Sequence, residues 1–212
     1  MSLEKQINEQ LKSIKPSGLL TASKMANDNL KKVNLFLDLA SKKQCLNCSN
    51  KQCINLVMPI ITENSDVLFI FSTLDEYDMT THSFYGKGSR LLYSCIPALN
   101  IEKYSVTSVV KCGNLSTSAF ENCYSYYLSR ELDLIKPKKI VCFGANASNI
   151  IKSYFIGDNN YFNNDDDCKG TYSINDIDIL FTNDINRICT YSEEEMTKRK
   201  KQIWNDLSDF IK

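Results

Sequence analysis

Four short apolar runs punctuate the chain: 66-DVLFIFS-72, 105-SVTSVVK-111, 138-KKIVCFG-144 and 176-DIDILFT-182. Each is rich in Val, Ile and Phe and bounded by polar or turn residues, a pattern that predicts a β-strand. Between them the apolar positions change to helical spacing. Phe120, Tyr124, Tyr127, Leu128 and Ile135 recur along one predicted helix. Ser118 and Glu121 fit a capping box at its start, and Pro137 stops it before the next strand. Residues 88–99 and 145–155 supply two more helices, the first shortened by Pro97. A last helix begins near Ser192, takes Glu193, Glu194 and Glu195 into its first turn, and repeats Ile203, Leu207 and Phe210.

Strands alternating with helices predict a three-layer α/β/α fold around a central, mainly parallel four-stranded sheet. At 212 residues the chain fits one domain over 1–212, with residues 1–34 as an N-terminal helical extension. In such sheets ligands sit beyond the carboxyl ends of the strands. That rule singles out the loops after residues 72, 111, 144 and 182. The tract 158-DNNYFNNDDDCKG-170 reads as an exposed acidic loop.

Charge and composition narrow the function. Lys+Arg and Asp+Glu both number 25, so no global basic field advertises nucleic acid, and such a partner must be met by a local patch. No apolar run is long enough to cross a bilayer, and the polar start MSLEKQINEQLKSIK has no signal-peptide character. The expectation is an intracellular chain without a membrane partner. Nine cysteines then need a reason, because disulfides are disfavoured in a reducing compartment. Cys95 and Cys142 sit in apolar stretches and read as core thiols, while Cys168 and Cys189 are isolated near loops. Cys45 and Cys48 form a CxxC pair whose tight turn suits one metal centre. Cys112 ends the second predicted strand and Cys123 lies on the first turns of the following helix. Packed as neighbours, that strand and helix bring the two thiols together, and the upstream pair completes four ligands, with Cys53 a spare. A tetrahedral Cys₄ set suits zinc or an iron–sulfur cluster equally.

These residues and their neighbours resemble family 4 of the uracil-DNA glycosylase superfamily, the iron–sulfur branch. The matching text is 45-CLNC-48, 109-VVKC-112, Cys123 and 132-LDLIKPKKIVCFGANASNII-151, within a likeness running over roughly residues 35–210. The resemblance implies a [4Fe-4S] cluster on Cys45, Cys48, Cys112 and Cys123, with zinc the alternative. It implies DNA as partner, and relatives that serve as replication-associated subunits add a possible protein partner in replication or repair.

The family's first motif falls on 70-IFSTLDEYDMTTHSFYGKGSRLL-92. Phe84, Gly86, Leu91 and Leu92 match its second half, and Phe84 is the aromatic expected to stack a flipped base. Phe71 replaces the catalytic-loop Glu, and Ser72-Thr73-Leu74 replace Ala-Pro-Gly, although Asp78 keeps an acidic position. The uracil-reading Asn is Ser108, and the late His motif falls on 181-FTNDIN-186, where Asn183 or Asp184 fills the His slot. The sole histidine, His82, matches no family His and reads as a solvated loop residue.

Base removal needs the base flipped into a tight pocket and negative charge stabilised as the bond breaks. Ser108 cannot make the paired contact of an Asn amide, Phe71 has no group to handle water, and the donor to the departing base is missing. Two readings remain. The first is a glycosylase fold kept for DNA or partner contact without ordinary uracil excision. The second is an active glycosylase of altered base specificity, with Asp78, Asp184 or Asp75 supplying a carboxylate. In both, Lys87, Arg90 and Arg187 flank the strand-end cleft and are the expected DNA contacts, whereas the run Lys198–Lys201 reads as a solvated helix face.

Overall fold

The computed structural model describes residues 30–38, 56–62, 64–113 and 115–212. Its elements are α1 (residues 30–38), β1 (Val67–Phe71), α2 (Glu76–Thr81), α3 (Lys87–Cys95), β2 (Tyr104–Ser108), α4 (Thr117–Cys123), α5 (Ser129–Ile135), β3 (Lys139–Phe143), α6 (Ala145–Ile150), β4 (Gly170–Ile174), β5 (Ile177–Thr182), α7 (Ile185–Ile188) and α8 (Glu193–Ile211). A 3₁₀ turn covers Pro97–Leu99, and π-helical turns cover Tyr124–Leu128 and Ile151–Ile156.

Among the described residues the sheet has five strands in the order β2-β1-β3-β5-β4. The first four in that order run parallel, in registers such as Phe71↔Ser108, Phe71↔Phe143 and Phe143↔Thr182. β4 is the strand missing from the four-stranded expectation and pairs antiparallel with β5. It follows the acidic tract, is largely exposed, and so lacks the apolar run that marks its neighbours.

Both faces of β1 and most of β3 are buried, which is why they read as continuous apolar runs, whereas β2 buries Ser105, Thr107 and Ser108 beside Val106. Alternate side chains serve opposite layers. Leu68, Ile70, Ile140, Cys142, Ile179 and Phe181 point to α1 and the α4–α6 layer. Val67, Phe69, Phe71, Val141, Phe143 and Leu180 point to the layer of α3, α7 and α8. The helix over α4 is capped by Ser116, whose Oγ accepts from Ala119 N at 3.3 Å, not by Ser118. Several serines compete there, and the first turn starts two residues earlier than the capping-box pattern suggested. β2 also stops at Ser108: Val109 N donates to Phe71 O at 3.0 Å, and residues 109–111 then bend away.

The chain reaches β2 from outside. Ile60 forms an antiparallel bridge with Val106 (N···O 2.8 and 2.9 Å), and Val57 N donates to Lys111 O at 2.7 Å. His82, expected in a solvated loop, faces this segment instead. It closes α2 in a left-handed conformation (φ 56°), its ring Nδ1 lies 2.9 Å from Leu56 O, and its carbonyl accepts from Met58 N at 3.1 Å.

Candidate functional site

β1 connects outward to β2, and the chain then returns past β1 to β3, so the strand order reverses between β1 and β3. Open α/β sheets bind ligands at the carboxyl ends flanking such a switch point. Here those ends are Phe71–Ser72 and Phe143–Gly144. Ser72 N donates to Phe143 O (3.0 Å), and Ser72 Oγ accepts from Ala147 N (2.7 Å). Gly144 turns into α6 with φ 91°, and a Cβ on it would lie 2.7 Å from Ser72 Oγ and 2.8 Å from Asp184 Cβ. Only glycine fits that packed corner.

Beneath the crevice lies an aromatic plug. Phe71 and Phe84 are both fully buried, their ring centroids 5.5 Å apart, and Phe143 lies 5.4 Å from Phe71. Ser108 is buried beside them and donates its hydroxyl to Val110 O at 2.6 Å. Asn183, at the end of β5, is buried, and its side-chain oxygen has no hydrogen-bond partner among the described residues.

The acidic candidates act as brackets. Asp78 is fully buried and accepts from Gly86 N (2.7 Å), Ser89 Oγ (3.2 Å) and Asp75 N (3.2 Å). Burial pushes its carboxyl up, against the pull of the Gly86 and Asp75 amides. Asp75 reciprocates, accepting from Asp78 N (2.8 Å) and Lys87 N (2.7 Å). Together they fold residues 75–89 into the loop that carries Phe84. A Cβ at Gly86 would fall within 2.2 Å of the Asp75 carboxylate, which explains the glycine.

Asp184 caps α7, taking Asn186 N (2.9 Å) and Arg187 N (3.2 Å) on one oxygen and Thr73 Oγ1 (3.0 Å) on the other. Burial first, then the nearby Asp165 charge, raise its pKa from 3.8 to about 6. The folded chain therefore holds a proton between those values that the unfolded chain has released. The stabilisation is complete below pH 3.8 and is lost as pH rises through about 6. Asp184→Asn keeps a capping oxygen and is expected to flatten this slope. Urea melts of both forms at pH 4 and pH 7 should diverge by on the order of 3 kcal/mol, in favour of the variant at the higher pH.

Of the expected DNA contacts, Lys87 and Arg90 are exposed on α3. They line a cleft of about 490 Å³ with Asp75, Tyr77, Asn186 and Cys189, and the Arg90 guanidinium stands 5.8 Å from the Tyr77 ring centre. Arg187 lies across the crevice, paired at 2.8 Å with Asp165, which also accepts from Ala145 N at 2.7 Å. Asp165 belongs to the tract read as an exposed loop; nothing in its sequence signals that it folds back over the strand ends.

Of the four expected metal ligands, Cys45 and Cys48 lie outside the described residues, as does Cys53. Cys112 and Cys123 are both buried and share one core cluster. Next to Cys112 stands a pair the sequence reading missed. Lys111 Nζ lies 2.8 and 2.9 Å from the two Glu131 oxygens, with Thr107 Oγ1 (2.6 Å) and Ser108 O (2.8 Å) completing its contacts. Both side chains are shut off from solvent. The available signal was a lysine embedded in the apolar run SVTSVVKC.

The order of the sheet, the helices on both faces and the crevice at the β1/β3 switch define a doubly wound α/β protein. Residues 58–208 match the family model of the uracil DNA glycosylase superfamily, and the chain belongs to that superfamily. No curated protein matches the sequence. Among the described residues no helix is long and apolar enough to cross a membrane.

Proposed function

We propose that the chain is a DNA-binding member of its superfamily that no longer performs ordinary uracil excision and carries an iron–sulfur cluster. The observation that carries the reading is Phe71. It takes the position of the family's catalytic-loop Glu, its ring is fully buried, and it packs on Phe84, the aromatic that would stack a flipped base. Phe84 is fully buried, so neither face of its ring is open to a base in this conformation, and Phe71 offers no lone pair to water. Ser108, its hydroxyl committed to Val110 O, gives no paired donor and acceptor.

The cysteine chemistry fits the cluster. Cys112 and Cys123 are both buried within one core cluster, and the Val57–Lys111 bond brings the incoming chain beside Cys112. The stretch from Cys48 to Leu56 extends to roughly 25 Å, ample for the CxxC to return there. Cys45, Cys48, Cys112 and Cys123 would hold a [4Fe-4S] cluster, or zinc on the same thiolates. Bound, the group supplies metal–thiolate bonds that tie the amino-terminal segment to the sheet. DNA contact would come from Lys87, Arg90 and Arg187 around the crevice. A replication or repair protein remains the partner class that the family precedent suggests.

Asp184 favours a second reading. A buried carboxyl with a pKa raised to about 6, at a strand end facing the crevice, has the character of a general acid or base. One experiment separates the two readings. The purified chain is incubated with single-stranded and duplex oligonucleotides bearing uracil or other modified bases; one portion is run on a native gel and the other is treated with alkali. The expected result is retarded DNA on a native gel without strand breaks. Breaks that disappear in Asp184→Asn would replace the binding reading with an enzyme of altered base specificity.

A further inference from the structure

The segment between Ile156 and Gly170 arches back over the carboxyl ends of β3 and β5. At its tip Asp165 pairs with Arg187 of α7 (2.8 Å) while holding Ala145 N (2.7 Å). The next residue, Asp166, pairs with Arg199 on the second turn of α8. Arg199 is itself oriented from behind, donating Nε to Glu195 Oε1 (2.6 Å) with its guanidinium 4.6 Å from the Tyr191 ring centre. Two guanidiniums from separate helices thus converge on two successive carboxylates at the mouth of the crevice. The guanidinium fork binds carboxylate and phosphate with the same planar geometry.

We infer that Arg187 and Arg199 form a two-point site for the phosphates of a nucleic-acid strand, closed in the free protein by Asp165 and Asp166. The inference rests on the DNA reading above and adds how the site is gated. The Arg187 side chain is 56% exposed and the Asp166 side chain 61%, while their partners Asp165 and Arg199 are 15% and 17% exposed, so each contact has one partner open to solvent. Ion pairs with one partner open to solvent are partly screened by salt, and a strand brings several charges to compete for the same forks. Asp165 is the deeper anchor: it is 15% exposed and keeps its backbone bond to Ala145 even when Arg187 is taken. The Arg187 guanidinium, held charged by the Asp165 carboxylate, exchanges one anion for another without losing its proton.

The test uses fluorescence anisotropy of a labelled single-stranded oligonucleotide with the full chain across a salt series. Asp165→Asn with Asp166→Asn keeps the oxygen that accepts from Ala145 N but removes both charges, and is expected to tighten binding several-fold. Arg187→Ala with Arg199→Ala should weaken binding about tenfold and make the log–log salt slope shallower by about 1.4, at roughly 0.7 per phosphate lost. Asp166→Asn alone, at an exposed position, carries the test if the double variant melts early. Wild-type binding that none of these changes alters overturns the inference and leaves the DNA reading standing. No measurable binding by the wild type or by the neutralised variant, at any salt, overturns both.

Discussion

Lys111→Met is expected to destabilise the protein by about 3–5 kcal/mol, because it strands the Glu131 carboxylate in the core. Glu131 is fully buried, and without Lys111 its remaining hydrogen-bond donor is the Thr107 hydroxyl at 2.6 Å. A loss of that size consumes much of the 5–15 kcal/mol margin typical of a folded domain and lowers Tm by roughly 10 °C. Combining Lys111→Met with Glu131→Leu should return most of the loss, since an apolar pair of similar volume removes both desolvation penalties. Urea melts of the two single variants and the double variant close the cycle. A Lys111→Met protein within about 1 kcal/mol of the parent would show that water or rearrangement rescues the carboxylate. The pair anchors more than itself, because Lys111 O also receives the Val57 amide and Cys112 follows directly.

The second large effect concerns the thiols. Cys112→Ser or Cys123→Ser is expected to abolish the broad near-visible absorption of an iron–sulfur protein and its iron content, with a marked fall in Tm. Cys95→Ser provides the contrast: Cys95 is buried in the cluster on the opposite sheet face and should leave colour and iron unchanged. A colourless parent containing zinc would keep the ligand set and change the metal. A parent with neither metal would remove the cofactor from the reading altogether.

The strands β1 and β3 are legible because burial on both faces leaves an unbroken apolar run, and β5 because its buried half keeps Ile179, Leu180 and Phe181 together. β2 was read three residues too long for the same reason: Val109, Val110 and Lys111 are buried, yet they leave the ladder once β1 has ended. β4 escaped because Gly170–Ile174 lies at the sheet's rim, where half-exposed residues carry no hydrophobic pattern. At the site, residue type revealed position but not allegiance. Asp78 and Asp184 stand where carboxylates were expected, yet each accepts hydrogen bonds from the backbone of its own loop. Phe71 was legible as a substitution; that its ring closes on Phe84 follows from packing that no spacing encodes. Asp165 reaches across from the loop before β4 to Ala145 and Arg187, and such long-range partnerships are not written in local sequence.

The short segment that bridges Ile60 to Val106 has a consequence for solubility. Among the described residues β2 is the outer strand on its side of the sheet, and an uncovered outer strand is a template on which other copies can polymerise. By occupying that rim from within the same chain, residues 56–60 act as a guard against edge-to-edge aggregation. A fragment beginning beyond them would keep most of the core and lose that protection.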